Sequence, residues 1–90
     1  NRNFVELLYR FEFPERPGAL INFLYNMKSN WSISVFHYRN YGADVGKIVI
    51  GVLIDKNEIL EWNNFVRILG YKFWDETQND TYRLFLGASD

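Results

Sequence analysis

The spacing of apolar residues constrains the fold of this chain most strongly, because it switches between the period of a strand and that of a helix. Apolar and polar side chains alternate from Phe4 to Phe13, and the same alternation returns over Val45–Ile54. A period of two is typical of a strand with one buried face. Both segments are therefore predicted as strands of a sheet that is covered on one side.

Two other segments have the period of a helix. The first starts at Pro17, since proline is well tolerated in a first turn, and ends near Ser29–Asn30. The second follows Asp55 and Asn57, either of which can cap a helix, and ends at Gly70. The apolar stripes are Leu20, Phe23, Leu24 and Met27 in the first segment, and Ile59, Trp62, Phe65, Val66 and Leu69 in the second. Both segments are predicted as amphipathic helices.

The remaining segments complete a β-α-β-β-α-β order. Residues Ile33–Asn40 are rich in β-branched and aromatic side chains, Tyr41–Asp44 has the composition of a hairpin turn, and Tyr71–Trp74 begins a fourth strand. A short C-terminal strand is expected at Tyr82–Leu86. This order predicts one α+β domain over residues 1–90, a ferredoxin-like sandwich whose antiparallel sheet carries two helices on one face.

Composition excludes several classes of function. The 10 basic residues are balanced by 11 acidic ones, so the chain has no positive excess with which to neutralise nucleic acid phosphates. It has no cysteine, and its longest apolar stretch, within Ile48–Ile54, is too short to span a bilayer. The first residues lack the apolar run of a signal peptide. We expect an intracellular domain with no nucleic acid or membrane partner.

The reactive side chains predict no catalytic site and no metal site. His37 is the single histidine, so a Cys–His pair is excluded and a serine triad would have to use this residue. No serine lies in a strand-turn-helix elbow. Asp75 and Glu76 are neighbours in a predicted strand and would point to opposite faces. The residues of this chain predict a domain that performs no reaction itself.

The first candidate site is the turn between strand one and helix one, which includes Pro14, Glu15, Arg16, Pro17 and Gly18. Unpaired amides at such a helix start favour a carboxylate, and glycine permits close approach of a ligand. The two prolines stiffen the turn. A well-formed helix start without any ligand is the alternative interpretation.

The second candidate is the aromatic stretch of strand two, from Phe36 to Asn40. If Ile33 and Val35 face the helices, Phe36 and Tyr38 face the open side of the sheet, unless a β-bulge alters the phase. Aromatic residues exposed on a sheet usually mark a contact surface. Direct ligand contact and cover by a second sheet or subunit are both open interpretations.

Residues 8–20 and 31–40, which include the two candidate sites, resemble the C-terminal regulatory region of biosynthetic threonine deaminases (threonine ammonia-lyases). The resemblance rests on Pro-Glu-Arg-Pro-Gly-Ala-Leu and on Phe-His-Tyr-Arg at matching separation, and it extends to 69–71 and 75–79. It implies an ACT-like fold in the second of two regulatory units, and therefore a fragment of a larger enzyme. In longer members the units follow a pyridoxal-phosphate catalytic domain, so this chain itself would hold no cofactor.

The resemblance also implies effectors and site residues. Isoleucine inhibits such enzymes and valine opposes it. The tyrosine associated with effector binding corresponds to Tyr38, and the arginine implicated in feedback sensitivity corresponds to Arg39. By fold analogy the expected site adds Phe36, Glu15, Arg16, Pro17, Gly18, Ala19 and Leu20.

The expected partners are the catalytic domain and the first ACT-like unit of the parent enzyme, which we expect to be a homo-oligomer. The expected location is the cytoplasm, or a plastid or mitochondrion in a eukaryote. Two alternatives remain at this point: a structural dimerisation domain without a ligand, and an RNA-recognition-like module, which shares the ferredoxin-like fold.

Overall fold

The computed structural model describes residues 3–16, 18–40 and 44–86, and within them it contains four strands and three α-helices. In chain order the elements are β1 (Phe4–Pro14), α1 (Ala19–Tyr25), β2 (Ser32–Asn40), β3 (Val45–Asp55), one 3-10 turn (Lys56–Glu58), α2 (Ile59–Leu69), β4 (Lys72–Asp75) and α3 (Asp80–Leu86).

The four strands form one sheet in the order β2-β3-β1-β4, and every neighbouring pair is antiparallel. The central strand β1 pairs with β3 along its whole length, from Phe4 opposite Asp55 to Pro14 opposite Val45. Each helix crosses over one intervening strand, α1 between β1 and β2 and α2 between β3 and β4. The predicted ferredoxin-like fold is confirmed.

A cluster of buried side chains lies between the sheet and helices α1 and α2. Because both helices contribute to it, both pack on the same face of the sheet. The ring of Phe11 on β1 meets the ring of Phe23 on α1 edge to face, with 5.1 Å between centroids. Trp62 on α2 is fully buried and meets Tyr9 in the same way at 5.3 Å. The apolar periods of the sequence therefore mark the core correctly.

Helix α1 is shorter at both ends than the sequence predicts. It begins after Gly18, whose φ of 85° lies in the left-handed region that glycine adopts easily. It ends at Tyr25 rather than near Ser29–Asn30, because the side chain amide of Asn26 donates to the carbonyl of Asn22 at 2.7 Å. Such local side chain bonds compete with helix propagation. Pro17, the predicted first residue, lies outside the described residues, as do positions 41–43 of the predicted hairpin turn.

The predicted C-terminal strand is wrong, because the segment forms helix α3. The side chain oxygen of Asn79 accepts from the backbone amides of Thr81 at 3.0 Å and Tyr82 at 3.4 Å. These are the bonds of a helix N-cap, which satisfy amides that the first turn leaves unpaired. This cap therefore starts a helix over the segment that the sequence predicts as a strand.

Glu58 connects the segment before β2 to the start of α2 through hydrogen bonds and an ion pair of its side chain. Its carboxylate accepts from the indole of Trp31 at 2.6 Å and from the side chain of Asn30 at 3.1 Å, with the Lys28 ammonium at 3.6 Å. The Trp31 hydrogen bond is the main cause that lowers the pKa of Glu58 from its ordinary value of 4.5, followed by the Asn30 bond. This group is therefore more acidic in the folded chain than in the unfolded one.

We expect Glu58→Gln to reduce the acid sensitivity of folding. A carboxylate with a lowered pKa stabilises the fold above its unfolded value, and this contribution is lost as the pH falls through the folded value. Wild-type stability should therefore drop below about pH 4.5, and that drop should be smaller in the variant. Urea unfolding across this pH range measures the difference. Parallel acid profiles for the two proteins would contradict the assignment.

Candidate functional site

The orientation of β2 differs from the sequence expectation. The partner of Phe36 on β3 is Ile50, and the partner of Tyr38 is Ile48. Directly paired residues point to the same face of a sheet, and both isoleucines belong to the core. Phe36 and Tyr38 therefore lie on the helix-covered face, and the expectation that they face the open side is wrong. The cause is a register shift between Ile33 and Val35, where an extra residue alters the phase.

Tyr38 nevertheless reaches solvent, because β2 is an outer strand of the sheet. The side chains of Phe36 and Tyr38 remain 41% and 42% exposed. The ring of Tyr38 lies 6.2 Å from the buried ring of Phe13, and its hydroxyl donates a hydrogen bond to the carboxylate of Glu15. This bond raises the pKa of Tyr38. The structure thus joins the two segments that the sequence singled out.

The Tyr38–Glu15 contact requires a residue without a side chain beside it. Gly46 on β3 is buried, and a Cβ atom added there would overlap the Glu15 carboxylate and lie 3.1 Å from Cε1 of Tyr38. Sequence reasoning missed this residue. Its signal was a glycine inside a strand pattern, which often marks a close approach. We call Glu15, Tyr38 and Gly46 the corner site.

Arg39 does not share the face of the corner site. Its partner on β3 is Lys47, whose ammonium lies 3.4 Å from the Glu12 carboxylate. Neighbouring residues in a strand point to opposite faces, so Tyr38 and Arg39 diverge. A molecule that contacts both would have to sit at the outer edge of β2.

The other residues of the β1–α1 turn and the start of α1 differ in their exposure to solvent. Arg16 and Gly18 are exposed, whereas Ala19 is buried and Leu20 packs against the core cluster. The turn also uses some of its own amides, since Ala19 donates to the carbonyl of Arg16 at 3.1 Å and Glu15 donates to that of Asp44 at 2.7 Å. The first amide of α1 is therefore already paired, and the polar side chains offer the main binding groups.

The described ranges contain neither a metal-ligand cluster nor a membrane-spanning helix. Across residues 3–16, 18–40 and 44–86, the acidic and histidine side chains nowhere form a group of three that could hold a metal ion. In the same ranges, the helices are too short and too polar to cross a bilayer.

A four-stranded antiparallel sheet of this order, with two helices on one face and a polar corner after β1, places the chain among the ACT-like domains of the ferredoxin-like class. A family model described as the C-terminal regulatory domain of threonine dehydratase matches residues 3–86. The chain belongs to this family. Threonine dehydratase is another name for threonine deaminase, so the resemblance drawn from the sequence is confirmed.

Individual relatives agree with the family model. The chain is 51% identical over 81 residues to the L-threonine dehydratase biosynthetic IlvA of Burkholderia multivorans, and 47% identical over 81 residues to the mitochondrial threonine dehydratase of Saccharomyces cerevisiae. It is 43% identical over 83 residues to the Escherichia coli IlvA protein. These matches cover 90%, 90% and 92% of the chain but only 16%, 14% and 16% of the relatives. The chain therefore spans only a small part of the length of these relatives.

Proposed function

We propose that this domain senses isoleucine and valine for a parent threonine dehydratase, with isoleucine as inhibitor and valine as its opponent. The observation that carries the proposal is the hydrogen bond between Tyr38 and Glu15. It joins two distant segments at a corner that solvent and small molecules can reach. A corner sealed inside the core could not serve a sensor, and Tyr38 is 42% exposed.

The corner site offers groups that complement an α-amino acid. The carboxylate of Glu15 can accept hydrogen bonds from the ammonium, which as a cation would be a stronger partner than the Tyr38 hydroxyl. The released hydroxyl can then donate to the effector carboxylate. Phe36, on the same face as Tyr38, supplies apolar surface for a branched side chain. Binding would exchange the partner of Glu15 and so change the conformation of the corner.

Affinity alone cannot explain opposite responses to the two effectors. Isoleucine and valine differ by one methylene, which contributes about 0.8 kcal/mol on burial. We infer that they favour different arrangements of the regulatory units. The orientation of Tyr38 and Arg39 supports this inference. Their side chains point to opposite faces of β2, so a ligand that contacts both would lie at the outer edge of this strand. It would therefore also contact any unit that packs against that edge. The first ACT-like unit or a second copy of the enzyme could complete the site there.

We propose that catalysis takes place in another domain of the parent enzyme. The catalytic domain would hold pyridoxal phosphate, whose attachment needs a lysine in an enclosed pocket. The lysines of this chain do not fit that role, since Lys28, Lys56 and Lys72 are exposed and Lys47 pairs with Glu12. We propose that the parent is a homo-oligomer. Its location would be the cytoplasm in a bacterium, and a mitochondrion or plastid in a eukaryote; the relative from Saccharomyces cerevisiae is a mitochondrial protein.

Tyr38→Phe tests the corner site because it removes only the hydroxyl. We expect isoleucine to bind the variant about tenfold more weakly, the equivalent of ~1.4 kcal/mol, in this chain or in the full-length enzyme if the site is composite. Isothermal titration calorimetry measures the affinity. Tyr25→Phe is the matched control, since Tyr25 lies on α1 and is 85% exposed. Unchanged affinity in Tyr38→Phe would remove the corner from the proposal.

A further inference from the structure

A groove with a volume of about 360 Å³ runs between α1 and α2 on the outer side of the helix layer. Its floor is fixed, because Phe65 and Leu69 pack against the core cluster and the ring of Phe65 lies 5.9 Å from that of Phe23. A cavity of about 150 Å³ is enough to hold a benzene ring. The groove can therefore accept an aromatic side chain from another molecule. We call it the helix groove, and its lining residues are Asn22, Asn26, Phe65, Ile68 and Leu69.

The two helices expose large apolar side chains beside this groove. Six of the seven residues of α1 are apolar or aromatic, and two of them, Ile21 and Tyr25, are 70% and 85% exposed. On α2, Leu60 and Ile68 are 76% and 83% exposed. The outer side of a surface helix is normally polar, and a helix that is apolar all round is normally buried. These four residues, which we call the helix face, therefore indicate a surface that another molecule covers.

The area of the helix face is large enough for a weak dimer. An exposed side chain of this size contributes on the order of 100 to 200 Å² of accessible surface, so the four residues together present roughly 500 Å². The largest apolar patch on an ordinary monomer measures about 300 to 600 Å² and often has a function. Two helix faces packed together would bury about 1,000 Å², which is near the lower limit for a specific interface.

The charges around the helix groove favour a partner with an uncharged centre. The residues of the groove and of the helix face are uncharged at neutral pH. At the end of the groove toward the start of α2, Lys28 and Glu61 already pair with each other at 2.6 Å. A partner with a charged surface would leave its charges unpaired here, whereas a second helix face has the same uncharged centre.

The helix face is also complementary in shape to itself. It presents a protruding aromatic ring, that of Tyr25, next to a groove that can accept such a ring. Two copies related by a two-fold axis bring the same patch of each into contact, so each copy can supply the ring that fills the groove of the other.

We propose that the helix face is a self-association surface, on which a second copy of this chain packs with its own helix face. The Tyr25 ring of each copy enters the helix groove of the other and contacts Phe65 and Ile68 there. This surface lies on the helices and leaves the outer edge of β2 uncovered. It is therefore separate from the corner site, and it does not depend on a role for Tyr38 or on any effector.

Sedimentation equilibrium of this chain at increasing concentration tests the dimer. We expect the average mass to rise from that of one chain toward that of two. Ile68→Asp places a carboxylate in the apolar centre and should raise the dissociation constant at least about tenfold. Leu84→Asp is the matched control, because Leu84 lies on α3, is 76% exposed and is outside the helix face. This variant should dimerise like the wild type.

A spin label shows which surface the copies use. The chain has no cysteine, so Ser29→Cys provides a single thiol, exposed and just beyond α1, for a nitroxide. Labelled copies are mixed with ¹⁵N-labelled wild-type copies, so that any broadening arises between molecules. We expect broadening at the amides of residues 21–25 and 65–68, and none when the ¹⁵N-labelled copies carry Ile68→Asp.

Three results would overturn the proposal. The first is an average mass of one chain at every concentration up to about 1 mM, which would leave the helix face to a different molecule. The second is an equal dissociation constant for Ile68→Asp and Leu84→Asp. The third is a dimer whose broadening is confined to residues 32–40, because the copies would then meet at the edge of the sheet and not at the helices.

Discussion

Replacing Trp62 with alanine is expected to remove most of the free energy of unfolding of this domain. The side chain is fully buried on α2, and its ring lies 5.3 Å from Tyr9, 5.4 Å from Trp31 and 5.5 Å from Phe65. Removing such a residue costs about 3 to 5 kcal/mol, because apolar contacts are lost and a cavity remains. Small domains have a total stability near the lower end of ~5 to 15 kcal/mol. Urea unfolding followed by circular dichroism would show the loss.

Trp74→Ala is the matched control for this prediction. Trp74 lies on β4, is 37% exposed, and contacts the guanidinium of Arg10 with 4.1 Å from the guanidinium carbon to the ring centroid. An exposed cation–π contact contributes about 0.5 to 1 kcal/mol. We therefore expect this variant to stay folded and to lose less than half as much stability as Trp62→Ala. Equal losses in the two variants would show that Trp62 is not the centre of the core.

The fold was predictable because burial of one face of a strand or helix produces a periodic spacing of apolar residues in the sequence. The alternation in β1 and β3 and the stripe of α2 depend only on which side chains face the core. The C-terminal helix α3 was not predictable in this way, because it is short and the residue before it, Asn79, is compatible with two structures. Asn79 favours a turn between strands as much as a helix N-cap, and only the structure shows its bonds to the amides of Thr81 and Tyr82.

Two residues of the corner site, Glu15 and Tyr38, were singled out from the sequence, whereas Gly46 and the geometry of the site were not. The resemblance brought Tyr38 and the β1–α1 turn together, and the structure places the Tyr38 hydroxyl on Glu15. The face of β2 was not predictable, because the residue that shifts the register near Ser34 is an ordinary strand residue. One extra residue reverses the direction of every side chain that follows.

Gly46→Ala is expected to disrupt the corner site while leaving the domain folded. The new methyl group would overlap the Glu15 carboxylate, which is the flexible end of a side chain and can move away. Tyr38 then loses the hydrogen bond that raises its pKa, so the pKa of Tyr38 should fall toward its ordinary value of 10.0. Isoleucine binding at the corner should weaken about tenfold or more, because Glu15 is displaced. NMR titration of the Tyr38 ring and calorimetry measure the two effects.

The Glu15→Ala background separates this mechanism from a general disturbance of β3. Shortening Glu15 removes the carboxylate that the new methyl group would overlap, and it also removes the acceptor of the Tyr38 hydroxyl. In that background Gly46→Ala should therefore produce no further fall in the pKa of Tyr38 and no further loss of affinity. Such non-additivity is expected only of residues that act through one contact. Additive effects would mean that Gly46 supports the strand and that its position beside Tyr38 and Glu15 has no part in binding.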